Sequence, residues 1–103
     1  MANYQLSILT PQGEIFNDKV EFVSAQGQLG NFGVMAGHAA FISALDRGVL
    51  KITQEGKEKF FTHATGVLEV KPDHQVLILV DEVFPANSAE EAKTKLAALA
   101  SAA

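Results

Sequence analysis

The chain has 103 residues, 48% of them hydrophobic, and carries 8 Lys and Arg against 12 Asp and Glu, for a formal net charge of −4. This length supports one domain with a modest core, and the hydrophobic content excludes an intrinsically disordered chain. The sequence has no cysteine for disulfides or thiolate metal sites, no basic patch for nucleic acid, and no apolar run long enough to span a membrane, so we expect no direct membrane insertion.

The first quarter of the chain is predicted to form short strands separated by turns. Residues that favour β structure mark strands at 4–9, 14–16 and 20–25. Asn17-Asp18 predicts a turn between the second and third of these strands. Alternation along the third strand places Val20, Phe22 and Ser24 on one face.

A glycine-rich stretch follows, which contains Gly27, Gly30, Gly33 and Gly37. The last of these glycines stands directly before His38. Glycine reaches backbone angles that other residues avoid, so the stretch predicts a shaped loop presented by a β scaffold. No Lys-Ser or Lys-Thr pair follows these glycines, so turns and bulges are a better interpretation than a phosphate-binding loop.

The rest of the chain is predicted to add five strands and one helix. Apolar and alternating segments mark strands at 39–45, 49–54, 59–63, 66–71 and 75–83. The last strand contains the apolar run 76–80, which we expect to be central or buried on both faces. The pattern predicts a mainly β fold, a two-sheet antiparallel sandwich or flattened barrel at 1–85, followed by a short C-terminal helix at 86–103.

The tail has the features of a helix start and of a narrow apolar stripe. Ser88 and Glu91 match a capping box. The stripe consists of residues at steps of three and four: Ala89, Ala92, Leu96, Leu99 and Ala103. A lone helix of this length is marginal in water, so it must dock on the sandwich or on a partner, or fray.

The residues offer no catalytic or metal centre. His38, His63 and His74 lack metal-ligand spacing. His38 could serve as a general base, but a histidine in a loop more often forms a local hydrogen bond or lies at an interface. We therefore expect no enzyme activity, no metal and no cofactor.

Three blocks of the sequence carry a resemblance to one family. Strand segments 4–11 and 20–23 form the first block, and segments 65–70 and 76–81 form the last. The middle block, 30–42, reads Gly-Asn-Phe-Gly-Val-Met-Ala-Gly-His-Ala-Ala-Phe-Ile. In this order the blocks resemble the epsilon subunit of rotary ATP synthase, whose corresponding motif is Gly-Glu-Leu/Phe-Gly-Ile/Val-x-Pro-Gly-His-Ala-Pro-Leu/Phe-Leu.

The middle and last blocks depart from the family pattern at four positions. Ala36 and Ala40 stand where prolines are usual, so the segment loses two fixed backbone angles. Asn31 stands where an acid is common, and Thr65 replaces a usual glycine. These departures affect the expected interface chemistry rather than the expected fold.

The resemblance implies a non-catalytic rotor subunit of a proton- or sodium-driven ATP synthase. Such a subunit binds the gamma subunit and the membrane ring of c subunits, with the beta subunit of the catalytic head as a further candidate partner. By motif position, Asn31 and Phe32 would lie near the ring, and Gly37, His38 and Ala39 near gamma or the ring. The expected location is the cytoplasmic face of a bacterial inner membrane, or its organellar equivalent, within a peripheral complex.

The family often carries a C-terminal hairpin of two helices that can inhibit ATP hydrolysis. The segment 91–96 resembles part of its first helix, but the Leu/Ile-Asp-x-x-Arg-Ala nucleotide motif has no counterpart here. The expectation is therefore a chain in which the inhibitory arm is largely missing. The alternative from another functional class is a free-standing β-sandwich module that binds a ligand, or a peptide at an exposed edge strand.

Overall fold

The structure is a computed structural model that describes residues 3–27, 30–35, 40–73 and 75–101. These residues form ten strands and one helix. In chain order they are β1 Tyr4–Thr10, β2 Gly13–Val20, β3 Phe22–Gly27, β4 Gly30–Met35, β5 Phe41–Leu45, β6 Gly48–Gln54, β7 Lys57–His63, β8 Gly66–Val70, β9 Gln75–Val80, β10 Val83–Ala86 and α1 Ala89–Ser101. The mainly β class with one C-terminal helix, expected from the sequence, is confirmed.

The strands form two layers that are joined through a narrow link. The hydrogen-bonded order is β10-β7-β6-β3-β5-β8-β9-β1-β2, with β4 paired to β3. Only Gly27 and Leu45 pair between β3 and β5, so we divide the path there. The front layer is β5-β8-β9-β1-β2, and the back layer is β4-β3-β6-β7-β10. Pairing is antiparallel throughout, except that β1 and β9 run parallel.

The core fills the space between the layers, because alternate residues of each strand point inward. Its fully buried side chains come from both layers and include Leu6, Ile8, Leu50, Ile52, Leu68 and Ile78. The rings of Phe16 on β2 and Phe61 on β7 meet edge to face across the core, with centroids 5.9 Å apart. Aromatic pairs in this arrangement add packing energy beyond the area that they bury.

The chain crosses from the front to the back layer at Glu21, where two hydrogen bonds close the corner. The Glu21 N–H donates to the Thr53 carbonyl at 2.9 Å, and the Gln54 side-chain amide donates to the Lys19 carbonyl at 2.8 Å. This break between β2 and β3 shifts the alternation by one residue. Val23 and Ala25 therefore face the core, and the expected shared face of Val20, Phe22 and Ser24 is wrong.

The turn expected at Asn17-Asp18 is also wrong, because β2 runs through both residues and pairs them with β1. β2 is an edge strand whose polar side chains face solvent, where they bond to one another and to polar side chains of β1. The Asn17 amide donates to the Glu14 carboxylate at 3.2 Å, and Ser7 donates to Asn17 Oδ1 at 3.3 Å. Solvent exposure and these local bonds make turn-favouring residues acceptable in a strand.

The strand expected over 75–83 is divided in two by a bend at Asp81. β9 is central in the front layer, as predicted, but only one of its faces is buried: Leu79 is 47% exposed. β10 crosses to the back layer, where Pro85 pairs with Phe61. β10 is an edge strand of that layer, a position at which proline is tolerated.

α1 begins at a capped N-terminus and docks on the back layer. The Glu91 N–H donates to Ser88 Oγ at 3.1 Å, and Ala92 is fully buried. Lys95 Nζ donates to the Pro85 carbonyl at 2.6 Å and lies 3.2 Å from a Glu91 carboxylate oxygen. The division of the chain into 1–85 and 86–103 stays a prediction. Within the described ranges, no helix is long and apolar enough to cross a membrane.

Candidate functional site

Part of the glycine-rich stretch is a strand rather than a loop. β4 pairs antiparallel with β3, so that Asn31 lies opposite Gln26 and Phe32 lies opposite Ala25. The expectation of a loop is therefore wrong for residues 30–35. Gly37, His38 and Ala39, the other expected contact residues, lie outside the described residues. The structure thus fixes the backbone register of the first two expected contacts only.

Gly33 on β4 lies beneath the ring of Phe22 on β3. A Cβ atom at Gly33 would collide with that ring, so any other residue here would force the Phe22 ring to move. Phe22 and Gly33 are diagonal neighbours on the two strands. Phe22 lies directly opposite Met35, and Gly33 lies directly opposite Ser24, two residues away. The motif glycine therefore serves packing across a strand pair, not a chain reversal.

Tyr4 on β1 reaches β4 from the opposite layer. Its hydroxyl donates to the Val34 carbonyl at 2.7 Å, and both residues are buried. Burial raises the pKa of the Tyr4 hydroxyl far above its usual value, which outweighs the opposite effect of the Val23 backbone. The hydroxyl therefore stays a hydrogen-bond donor at all physiological pH values.

An apolar patch lies on the outer face of the front layer, beside Glu69, which is the register partner of both Ile42 and Leu77. Ile42, Val67 and Leu79 are 69%, 38% and 47% exposed. Strand pairing aligns Ala44, Val67, Leu79 and Leu9 in one cross-strand row, because each is the register partner of the next. With strands about 4.8 Å apart, this row extends about 14 Å across the layer.

We call this the front surface, and it comprises Leu9, Ile42, Ala44, Val67, Leu77 and Leu79. A contiguous exposed apolar patch on a sheet usually marks an interaction site. The sequence pattern did not indicate this patch, since the apolar run of β9 was expected to be central or buried on both faces. The available signal was the alternation in β5 and β8, which gives each strand an outward-facing apolar residue.

The described histidine is part of the interior. His63 is fully buried, with Nδ1 2.8 Å from the Ala64 carbonyl and with no hydrogen-bond partner at Nε2. Burial lowers the pKa of the imidazole. In the described part of the chain, no group of three or more His, Cys, Asp or Glu residues could hold a metal ion. His63 is therefore a neutral core residue.

A cleft beside the β6–β7 turn has a volume of about 340 Å³ and is lined by Gln54, Glu55, Lys57 and Lys59. Lys59 Nζ also lies 5.6 Å from the centre of the Phe16 ring. Because ammonium and carboxylate groups share this cleft, it selects neither an anion nor a cation. The front surface and β4 are thus the features that indicate binding.

Comparison with known sequences agrees on one family. The family described as ATP synthase, Delta/Epsilon chain, beta-sandwich domain matches residues 3–86. The ATP synthase epsilon chain of Pelotomaculum thermopropionicum is 38% identical over 89 residues, which are 86% of this chain and 61% of that protein. That of Anoxybacillus flavithermus is 32% identical over 97 residues, 94% of this chain and 72% of that protein. The chain thus spans less than two thirds of the Pelotomaculum protein.

Solved structures show the same architecture. A chain in the cryo-EM structure of the Euglena gracilis mitochondrial ATP synthase, an assembly of OSCP, F1 and c-ring, matches with a TM-score of 0.80 at 25% identity, covering 99% of this chain and 66% of that one. A chain in the central stalk and c-ring structure of the Tetrahymena thermophila mitochondrial enzyme matches with a TM-score of 0.71, covering 94% of this chain and 89% of that one. The second match, at 16% identity, supports the fold alone.

Proposed function

Since the chain belongs to the delta/epsilon β-sandwich family of ATP synthase, we propose that it is a non-catalytic subunit of the central stalk. In this role it binds the gamma subunit and the ring of c subunits, and it transmits rotation between ion flow through the membrane and ATP synthesis. Such a role requires a rigid body with complementary surfaces, and it requires no poised catalytic group. The driving ion is a proton or a sodium ion, and the place of action is the cytoplasmic or equivalent organellar face of the membrane.

The front surface carries this proposal. Ile42, Val67 and Leu79 are exposed to water, and a partner that covers them would gain about 25 cal/mol of binding free energy for each Å² of apolar area buried. The outer face of the back layer differs, because α1 packs on β6, β7 and β10 there. A flat apolar sheet face fits a broad contact with a large rigid partner, and we assign it to the gamma subunit.

The β4 segment is the proposed contact to the c-ring. Asn31 and Phe32 are the second and third residues of β4, at one end of the back layer. Gly37, His38 and Ala39 complete the proposed contacts, to gamma or to the ring. The beta subunit of the catalytic head is a further proposed partner of the assembled complex.

Gel filtration with purified cognate gamma subunit tests the proposal. Standard interfaces bury about 1,600 Å² in total, so we expect co-elution at micromolar concentration. Because the front surface is apolar, co-elution should persist when salt is raised and surface charges are screened. Independent elution of the two proteins at every salt concentration would contradict the rotor role.

The alternative of a peptide-binding module has less support at the edge of the front layer. β2 is an edge strand of the front layer, and it carries exposed charged residues, among them Glu14, Asp18 and Lys19. Charges on an edge strand hinder the addition of a further strand. The same gel filtration separates the two functions, since a free-standing module would not bind gamma.

A further inference from the structure

β4 is an edge strand of the sandwich, as are β2 and β10. It pairs with β3 and with no other strand among the described residues. A strand at an edge has half of its backbone groups outside the ladder, so its position depends on side-chain contacts. β4 nevertheless carries Asn31 and Phe32, the proposed contacts to the c-ring.

The inner face of β4 is held by Tyr4. The bond from the Tyr4 hydroxyl to the Val34 carbonyl is 2.7 Å long, joins residues 30 apart in sequence and is buried. It starts on β1, an interior strand of the opposite layer that pairs with both β9 and β2, and therefore connects β4 to that layer. In a buried setting, a bond of this kind also prevents an unsatisfied carbonyl.

The outer face of β4 is held by Phe22. Its ring occupies the space above Gly33 where any other residue would place a Cβ atom. Phe22 is half-buried, so the ring forms part of the outer surface and limits outward movement of β4. An aromatic ring over a glycine on a neighbouring strand is a known means of stabilising a sheet edge.

We propose that Tyr4 and Phe22 are positioning residues for rotor binding, which hold β4 from its two faces and so fix Asn31 and Phe32 for contact with the c-ring. This inference rests on the proposed function. The two residues act through β4 and need no contact with the ring themselves. Their loss should loosen β4 and weaken ring binding, while binding of gamma to the front surface stays as it is.

The test compares one tyrosine variant with one threonine variant, each of which loses a buried hydrogen bond from a side-chain hydroxyl to a backbone carbonyl. Tyr4→Phe removes the hydroxyl that binds Val34, and Thr62→Val removes a hydroxyl that donates to the Ala92 carbonyl, also at 2.7 Å and also buried. Amide hydrogen exchange reports the opening of β4. Surface-binding kinetics on the gamma–c-ring rotor in nanodiscs, and on gamma alone, report the two contacts.

In Tyr4→Phe we expect the hydrogen-exchange rate of the β4 amides and the rate of dissociation from the rotor each to rise about fivefold. A change of this size is the effect of one lost hydrogen bond. The affinity of Tyr4→Phe for gamma alone should stay within about twofold of the wild type, and Thr62→Val should match the wild type in β4 exchange and rotor dissociation. If Tyr4→Phe does not fold, Phe22→Leu, which removes the ring from Gly33, should show the same pattern.

The outcomes separate the inference from the proposed function. Equal β4 exchange in Tyr4→Phe and the wild type, or equal rotor dissociation, would overturn the positioning role and leave the rotor function standing. An equal effect of Thr62→Val would show general destabilisation and also overturn the positioning role. A wild-type chain that binds gamma but not the c-ring would contradict the proposed ring contact and the inference together.

Discussion

The hydroxyl of Thr62 on β7 donates a 2.7 Å hydrogen bond to the backbone carbonyl of Ala92 in the first half of α1, and both residues are fully buried. A single helix of 13 residues is marginal in water, so α1 depends on such contacts with the sandwich. The sequence offered docking, partner binding or fraying for this helix. The structure shows docking on the back layer.

Thr62→Val should loosen this docking, because valine keeps the shape of threonine and lacks the donor. We expect the free energy of unfolding to fall by about 1 kcal/mol and the helical circular dichroism signal to decrease. Urea titration followed at 222 nm measures both. Thr94→Val is the matched control, since the Thr94 hydroxyl bonds the Glu90 carbonyl on the exposed side of α1. Equal losses in both variants would show that the Thr62 bond does not hold the helix.

Gly66 permits a close approach between β8 and β9, and Gly66→Ala should therefore be strongly destabilising. A Cβ atom there would meet the Leu79 carbonyl oxygen and the Val80 Cα, both backbone atoms. We expect a loss of about 2–3 kcal/mol in the free energy of unfolding, as for an overpacked core. The neighbouring Thr65, which replaces a usual glycine, is exposed and has no such restriction.

Gly56→Ala provides the comparison for Gly66→Ala in the same urea titration. Gly56 has a φ of +77° and open space around its Cα, so alanine there suffers backbone strain without a collision. We expect a loss of about 1 kcal/mol. A loss at Gly66 no larger than the loss at Gly56 would contradict the close approach.

His63 should make the fold sensitive to mild acid. Burial lowers the pKa of His63 in the folded state, so the unfolded chain binds more protons as the pH falls. The stabilisation of the folded state by neutral His63 is complete above the pKa of histidine in the unfolded chain, about 6.5. It is lost as the pH falls from there towards the lower pKa of His63 in the folded state. The free energy of unfolding should decrease by at most about 1.4 kcal/mol per pH unit in this range.

His63→Leu should remove this slope, and urea titrations between pH 7 and pH 5 measure it. His74→Gln, a change of another histidine, serves as the control and should keep the slope. The pKa values of Asp18, which accepts a hydrogen bond from the Lys19 N–H, and of Glu91, which is bonded to Lys95, are lowered, so their contributions to stability are lost only below about pH 5. An unchanged slope in His63→Leu would show that another group titrates.

Strand content and the helix start could be predicted because they depend on local pattern. Alternation marked β6 as a strand, and Ser88 predicted the helix cap. The break at Glu21 and the crossing of β10 to the back layer could not be predicted from the sequence, because both depend on long-range pairing. Local sequence does not encode that Val83 pairs with His63.

The candidate site shows the same limit. The motif directed attention to Asn31 and Phe32, which lie on β4, and their role in binding stays a prediction. Leu79 was missed, since an apolar run indicates burial without indicating which molecule covers it. On the outward face of β9, Leu77 and Leu79 are apolar and uncovered by described secondary structure, and the sequence pattern alone cannot distinguish such residues from a buried core.

Ile42→Glu should separate binding from folding on the front surface. Ile42 is 69% exposed and lies opposite Glu69, so the variant should keep the wild-type free energy of unfolding within about 1 kcal/mol. Contact with gamma would bury an unpaired carboxylate, and we expect the affinity for gamma to fall about 30-fold or more. Phe84→Glu places the same charge on the back layer, where the residue is 39% exposed, and should leave gamma binding unchanged. Binding kinetics on immobilised gamma measure both variants. Undiminished binding by Ile42→Glu, or an equal loss in Phe84→Glu, would move the gamma contact away from the front surface.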